Sequence, residues 1–307
     1  MDLYRWFFGL PDPNEEASFD NTFDRLIARG RRRNRSPYWK LLRWSEYIWR
    51  TIHFKFTNMR DYIWRSTLGR WIYVKVGRMA TEAATMRFLS SHTSIPIPRV
   101  WITFGWGGYH YIFMERLQGA VLEDVWDRLS EDLRGAVANQ IKGYVTQLRA
   151  LPPPPGLKSI CSIQGGPVWC FRLNFDGKTG PFRDEEHMNL QLRHLKSLQD
   201  FTPIVQTVHA RKHPLVFTHN DLFPRNIMIE EKTGKIIAIL DWESAGWFPD
   251  YWEYCKCINW GAWRVEQKYW KDWVPRMIPV YAEEAEADRV LLWESGFRDL
   301  SPFQHAP

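Results

Sequence analysis

Two acids and an amide flank a predicted hairpin in the last third of the chain. Asp221 and Asn226 follow a short apolar run, and Asp241 ends the second strand of the hairpin. Phosphoryl transfer from a magnesium nucleotide needs such a set: one acid to take the proton of the acceptor, and an amide and a second acid to hold the metal. The pattern therefore predicts Asp221 as a catalytic base and Asn226 and Asp241 as magnesium ligands.

Three neighbouring side chains could support this set. Glu243 projects on the same side as Asp241 if the chain stays extended, so it could serve a second magnesium or hold the loop. We expect the ring of His219 to stabilise the loop by hydrogen bonds. Arg225 could approach the acceptor or the transferring phosphate, and it could equally form a surface ion pair.

Lys75 lies in a predicted strand with alternating sides, and Glu82 begins the following helix. An ammonium on the inner face of that strand would pair with the nucleotide phosphates, and Glu82 could keep it in place. A lysine in an isolated alternating strand usually faces solvent, so this prediction depends on the catalytic loop. Only Gly69 lies between the first two predicted strands, so the sequence shows no glycine-rich cover for the phosphates.

Patterning around Lys75 predicts a small sheet with one helix. The elements predicted there are strands at residues 62–66 and 71–76 with a turn at 68–70, a helix at 82–91 capped by Thr81, and a hairpin of residues 100–104 and 109–114.

The chain after Glu115 is mostly helical. Its predicted elements are a helix over 122–151 interrupted near Ser130, a helix over 185–198, a hairpin of 227–229 and 236–240, and a helical end over 252–297 with breaks at Pro275 and Pro279.

These elements predict an α+β fold with two lobes. The expected division is an N-terminal helical extension over residues 1–60, a mostly antiparallel β lobe with one helix over 61–116, and a larger helical catalytic lobe over 117–307.

Composition restricts the class of protein. The 307 residues are 45% hydrophobic and 25% charged, as in a globular protein with a sizeable core. The net charge of +6 suits an anionic ligand such as a nucleotide. Four cysteines in a chain of this length do not form a disulfide framework, and neither a secretory signal nor a membrane span is evident. We expect a soluble cytoplasmic protein; its oligomeric state is left open.

Three segments resemble a known family. They are residues 219–226 (His-Asn-Asp-Leu-Phe-Pro-Arg-Asn), residues 241–254 and residues 93–100. The spacing of His, Asp and Asn in the first matches the catalytic loop of kinases. Over residues 63–256 the chain resembles the aminoglycoside phosphotransferase and choline kinase superfamily, most closely fungal proteins with a phosphotransferase enzyme family domain. That superfamily is a branch of the protein kinase-like fold.

The resemblance implies that the small lobe holds an adenine nucleotide against the helical lobe. It places the hinge at residues 111–117, with backbone groups of Glu115 to Leu117 meeting adenine. It also assigns the family's phosphate-binding lysine and its partner to Lys75 and Glu82, and the base and metal ligands to Asp221, Asn226 and Asp241. Asp-Trp-Glu at residues 241–243 replaces the Asp-Phe-Gly of protein kinases, which argues against a regulated protein kinase.

The leading hypothesis is an ATP- and Mg²⁺-dependent phosphotransferase acting on a hydroxyl of a small molecule, such as an aminoglycoside- or choline-like acceptor. The alternative is a nucleotide-binding pseudokinase or scaffold without transfer activity, because the glycine loop is thin. A third class is an RNA- or membrane-binding protein, suggested by the basic run at residues 29–35, although such a run is more often a solvated loop.

The sequence leaves the acceptor open. A polycationic acceptor would need acids, which residues 184–186 or the pair Asp250 and Glu253 could supply. An apolar or cationic acceptor could instead meet aromatic rings. The candidates for that role are Trp247, Trp252, Trp260 and Trp263.

Overall fold

The computed structural model describes residues 67–77, 79–106, 108–174, 177–260 and 268–294. Several predicted features lie outside these residues: the helical extension over 1–60, the basic run, the strand at 62–66 and Trp263.

The strands are β1 Ile72–Gly77, β2 Val100–Trp106, β3 Tyr109–Glu115, β4 Ala120–Val121, β5 Cys161–Ser162, β6 Val168–Trp169, β7 Lys178–Thr179, β8 Leu215–Thr218, β9 Ile227–Glu230, β10 Lys235–Ile239 and β11 Gly246–Pro249. The α-helices are α1 Thr81–His92, α2 Leu122–Val125, α3 Glu131–Ala150, α4 Glu185–Leu192, α5 Pro203–His209, α6 Trp252–Cys255, α7 Lys268–Met277 and α8 Ala282–Glu294.

The first lobe is an antiparallel sheet with the strand order β1-β3-β2. β-branched and aromatic residues dominate β1, which suits a pleated, half-buried strand. In its register Lys75 lies opposite Ile112, which is buried. Met86 and Leu89 of α1 are buried in the same hydrophobic core as Ile112. The sheet and helix therefore match the predicted lobe.

One local prediction in this lobe was wrong. Thr81 is the first residue of α1 and not its cap: the capping position is Ala80, and the buried Thr81 hydroxyl has no hydrogen-bond partner among the described residues. Residues 67–70 form a short 3₁₀ turn, which includes the turn predicted at 68–70. The carbonyl of Gly69 in that turn accepts a hydrogen bond of 2.6 Å from the guanidinium of Arg116. This contact fixes the turn against the end of β3.

The second lobe begins with α2 and the predicted interruption before α3. Ser130 caps α3, and its hydroxyl accepts from the backbone N–H of Leu133. Ile141, Val145 and Leu148 recur at helical spacing and are buried, because α3 packs against β8 and α7. The long amphipathic helix predicted from the sequence is confirmed as α3, with the predicted interruption before it near Ser130.

Two small sheets of the second lobe position the chain segments that lead to residues 219 and 241. β9 and β10 form the predicted hairpin, with β4 as a third strand on β9. Gly234 takes φ +67° in its turn, a conformation that favours glycine. β11 pairs with β8, with Gly246 opposite Thr218. The second pairing places the segment after residue 241 next to the segment that leads into residue 219.

The helical prediction needs two corrections. α4 ends at Leu192 rather than at residue 198, because His194 and Leu195 adopt positive φ values that end the helix. Pro275 lies inside α7, whereas the break predicted at Pro279 is confirmed, because it falls between Met277 and Ala282. Within the described ranges, no helix is long and apolar enough to cross a lipid bilayer. The predicted α+β class, with a small antiparallel lobe and a larger helical lobe, is confirmed.

Candidate active site

The predicted catalytic loop follows β8, and Asp221 is its central acid. Its two carboxylate oxygens lie 2.6 and 2.7 Å from Nη2 of Arg225. The side-chain amide of Asn226 donates to the backbone carbonyl and to Oδ2 of the same Asp221, both at 2.8 Å. A 3₁₀ turn over Pro224–Asn226 brings these side chains back onto the acid. The loop therefore presents a carboxylate whose position is fixed by two donors.

His219 is fully buried and links the loop to the end of β10. Its Nδ1 accepts from the backbone N–H of Asp221 at 3.2 Å, and its Nε2 lies 2.9 Å from the carbonyl of Leu240. The ring is therefore neutral, with the proton on Nε2. It packs against Trp242 at a centroid distance of 4.4 Å. These contacts join the predicted catalytic loop to Leu240 and Trp242, the residues on either side of Asp241.

Asp241 has φ +64° and ψ +60°, a left-handed conformation that few residues other than glycine adopt. Such backbone strain costs on the order of 1 kcal/mol or more and is concentrated at functional sites. The backbone N–H of Leu240 donates to the carbonyl of Asn226 at 2.8 Å. Asn226 thus contacts Asp221 through its side chain and the strand before Asp241 through its backbone. Asp221 and Asp241 therefore belong to one connected unit, which is linked through Asn226.

Lys75 connects the small lobe to that unit. Its Nζ lies 2.8 Å from Glu82 and 2.7 Å from Asp241. The carboxylate of Glu82 also accepts from the backbone N–H of Trp242 at 3.2 Å. The expected pair of Lys75 and Glu82 is therefore formed, and it extends from the small lobe to Asp241 in the larger lobe.

Glu82, Asp241 and Glu243 form a cluster of acids whose ligand oxygens all lie within 4.8 Å of one another. Burial raises the pKa of Glu243 to about 7, and the charge of Asp241 adds to that shift. Burial likewise raises the pKa of Glu82, although Lys75 opposes it. For Lys75, burial lowers the pKa, but the charges of Glu82 and Asp241 outweigh it and the pKa ends above its usual value. One cation thus faces three acids.

This cluster fits a hard divalent cation. All its donors are carboxylate oxygens, the ligands that Mg²⁺ prefers, and it carries more negative charge than Lys75 can balance. Of the three predicted metal ligands, Asp241 and Glu243 belong to the cluster. Asn226 is instead placed on Asp221, with its NH₂ group used there.

The predicted hinge, residues 111–117, covers the last five residues of β3 and the two residues after it. The backbone N–H of Glu115 donates to the carbonyl of Arg99 at 2.9 Å, and that of Arg116 donates to the carbonyl of Trp71 at 2.8 Å. Both amides are therefore used within the small lobe. The carbonyl of Glu115 and the backbone of Leu117 stay the predicted contacts with adenine.

Sequence reasoning missed the residue that anchors the catalytic loop. Oε2 of Glu253 accepts from the backbone N–H groups of His219 and Asn220 at 2.7 and 3.1 Å. Burial raises the pKa of Glu253, and these contacts with the loop oppose the shift. The side chain of Asn220, which has φ +66°, donates to Ser244 and accepts from Trp252. The only sequence signal was an acid within an aromatic run.

The acids and rings considered for the acceptor are mostly occupied elsewhere. Glu253 lies behind the loop, and Asp250 accepts from the hydroxyl of Tyr281 at 2.8 Å and contacts His213 at 2.9 Å. Trp247 and Trp252 are each 1% exposed and belong to the core. Their burial excludes them as an open aromatic surface for an acceptor.

Several known proteins are similar to the chain. An aminoglycoside 3'-phosphotransferase of type VIII is 16% identical, with a TM-score of 0.48, over 72% of this chain and 83% of that chain. The ADP-bound aminoglycoside phosphotransferase APH(2'')-Ib is 15% identical, with a TM-score of 0.48, over 77% and 81%. An aminoglycoside phosphotransferase from Streptomyces rimosus, solved with ADP and streptomycin, is 17% identical, with a TM-score of 0.44, over 72% and 85%.

A comparison with curated proteins gives no match. The family model described as "Phosphotransferase enzyme family" matches residues 41–287, which is most of the chain and includes every residue of the site. Lys75, Glu82, Asp221 and Asp241 thus come together within one family domain, and the chain belongs to the phosphotransferase enzyme family.

Proposed function

We propose that the protein transfers the γ-phosphoryl group of ATP to a hydroxyl of a small molecule, with Mg²⁺. The observation that carries this proposal is the contact of Lys75 with both Glu82 and Asp241, within the unit that also contains Asp221. It joins a phosphate-binding cation, a metal-binding acid and a base across one cleft. A structural ion pair would not require the strained backbone of Asp241.

Each residue then has a distinct task. Lys75, kept in place by Glu82, would bind phosphate oxygens of the nucleotide. The carbonyl of Glu115 and the amide of Leu117 would meet the donor and acceptor edge of adenine. Asp241 and Glu243, with the amide oxygen of Asn226, would hold Mg²⁺. When bound, that ion neutralises charge on the phosphates and orients them.

Asp221 would orient the acceptor hydroxyl and receive its proton. The hydrogen bond from Asn226 and the contacts with Arg225 keep its oxygens in place before the acceptor arrives. Preorganisation of this kind removes the cost of orienting the base during the reaction. His219 and Glu253 touch neither base oxygen, and we assign them to positioning of the loop.

The decisive experiment replaces the base. We expect Asp221→Ala to lower phosphate transfer by about 10²–10⁴-fold, the contribution of a positioned general base, while Mg·ATP still binds. Transfer from labelled ATP across an acceptor panel and calorimetric titration of Mg·ATP would measure the two effects. Asp200→Ala, at an exposed acid in the short turn Leu198–Asp200, is the matched control.

A full transfer rate in Asp221→Ala would remove this residue from its role. Binding of Mg·ATP by the wild-type protein without transfer to any acceptor would instead favour a nucleotide-binding scaffold.

A further inference from the structure

The base of the proposed reaction is already paired with a cation. A single nitrogen of Arg225, Nη2, contacts both oxygens of Asp221 at 2.6 and 2.7 Å. The guanidinium also lies over the ring of Phe223, 4.7 Å from its centroid. The side chains of Arg225 and Asp221 are 29% and 19% exposed. The cation is therefore held on two sides, yet both members of the pair remain accessible to a ligand.

This arrangement changes the charge that an acceptor meets. An isolated carboxylate would attract an ammonium group near the reacting hydroxyl. Here the charge of Asp221 is balanced by Arg225, and the exposed part of the guanidinium repels a second cation. A neutral or anionic substituent has no such penalty, and an anionic one can bind to the guanidinium directly.

Each acid that the sequence offered to compensate for this repulsion already has a partner in the protein. Asp184 caps α4 and pairs with Arg183, and Glu186 lies 2.7 Å from Arg193. Glu185 accepts from the backbone N–H of His213 at 3.0 Å. Asp250 and Glu253 are occupied as described above. None of the five acids that the sequence offered for a polycationic acceptor is left without an internal partner.

We propose that the acceptor is uncharged or anionic around its reacting hydroxyl, and that Arg225 is the residue that selects it. This inference rests on the proposed phosphotransferase function. It assigns to Arg225 a role in specificity, separate from the proton transfer at Asp221. Aminoglycoside-like and choline-like acceptors, which carry ammonium groups, are then poor acceptors of this protein.

The test compares acceptors that share a backbone and differ in one substituent and its charge. Glycerol, glycerate and 3-amino-1,2-propanediol share a hydroxyl-bearing backbone and are neutral, anionic and cationic; sugars, sugar acids and amino sugars form a second matched set. Transfer from labelled Mg·ATP gives kcat/KM for each acceptor. Calorimetric titration of the acceptors in the presence of a non-transferable ATP analogue gives a readout that does not depend on turnover.

Three variants separate charge from structure. Arg225→Gln removes the charge, Arg225→Lys retains it, and Arg289→Gln is a control at an exposed arginine of α8 that pairs with Glu286. We expect the wild-type protein and Arg225→Lys to prefer neutral or anionic acceptors. In Arg225→Gln, the preference should move toward the cationic member by about tenfold, the order expected for one unit charge at a partly exposed site.

Three results would overturn this inference and leave the proposed function intact. They are a wild-type preference for the cationic acceptors, an Arg225→Gln variant with wild-type selectivity, and an Arg225→Lys variant that behaves like Arg225→Gln. If no acceptor in either set receives phosphate while Mg·ATP binds, the proposed function fails, and this inference fails with it.

Discussion

Charge balance defines the site at the scale of single residues. Lys75 is the cation between Glu82 and Asp241, and Glu243 adds a third acid to the same group. Removing one partner of a buried ion pair is costly, because the remaining charges are left without compensation. The same excess of negative charge is what would attract a divalent cation to this place. Lys75 and a metal therefore contribute to the same balance.

This balance predicts how Lys75→Met affects stability. Because three acids then face one another, we expect the free energy of unfolding in the presence of EDTA to fall by about 1–2 kcal/mol, discounted for the partial exposure of Lys75 and Asp241. Addition of Mg²⁺ should restore more stability in the variant than in the wild-type protein. Denaturant unfolding with and without Mg²⁺ measures both effects.

Lys142→Met, at an exposed lysine of α3, is the control for loss of a positive charge. An equal response of Lys75→Met and the wild-type protein to Mg²⁺ would show that the three acids do not bind the metal.

The position of the catalytic loop is decided at the scale of elements. β8 leads into the loop, and the short helix α6 presents Glu253 to the backbone amides of His219 and Asn220 at the start of the loop. The other oxygen of Glu253, Oε1, is buried and has no hydrogen-bond partner in the described part of the chain. One side chain of α6 therefore satisfies two buried donors of the loop, and the loop depends on α6 for its position.

Two substitutions of Glu253 should differ sharply. Glu253→Ala leaves two buried amides without an acceptor, and we expect a loss of about 2–3 kcal/mol of stability together with slower transfer. Glu253→Gln keeps an oxygen toward the amides and places its NH₂ group where Oε1 lacks a partner. We expect it to retain most of the stability and activity. Urea unfolding and steady-state kinetics of the pair would test this, and a Gln variant as damaged as the Ala variant would show that the negative charge itself is required.

Buried polar contacts connect distant helices at the scale of the whole molecule. Arg172 lies 2.8 Å from Asp288 of α8, and Arg193, at the end of α4, lies 2.7 Å from Glu186 and 2.9 Å from Nδ1 of His209 in α5. Since Arg193 donates to Nδ1, His209 is neutral. Burial lowers the pKa of His209 to about 3, and the charges of Arg193 and Arg172 add to the shift.

His209 should therefore make the protein sensitive to acid. Above about pH 6.5 the ring is neutral in both folded and unfolded chains, and it contributes no pH dependence. As the pH falls from 6.5 toward 3, the unfolded chain binds a proton that the folded protein excludes, so stability decreases. At pH 5 this effect amounts to about 2 kcal/mol.

We expect His209→Asn, which keeps an acceptor for Arg193, to reduce the loss of stability between pH 7 and pH 5 by about 2 kcal/mol. Denaturant unfolding at the two pH values measures it. His92→Asn, at an exposed histidine that ends α1, is the matched control. An unchanged pH dependence in His209→Asn would show that His209 titrates alike in both states.

Local patterns in the sequence were sufficient for much of the fold. Alternation of apolar residues gave β1 and the hairpin of β9 and β10, and helical spacing with a serine cap gave α3. Predictions that relied on a single residue were less successful. Thr81 does not cap α1, and Pro275 does not break α7, because burial and packing outweigh the preference of one residue.

The sequence alone determined which residues are candidates for the chemistry: the spacing of Asp221, Asn226 and Asp241 indicated the groups that we propose for phosphate transfer, since motif spacing is a local property of the chain. Only the tertiary structure decided their partners. The approach of Lys75 to Asp241, 166 residues later, and the contact of Glu253 with the loop depend on packing between lobes and helices. The structure also showed which acids cluster around Lys75 and which are paired elsewhere, because burial and pairing depend on contacts that no local pattern encodes.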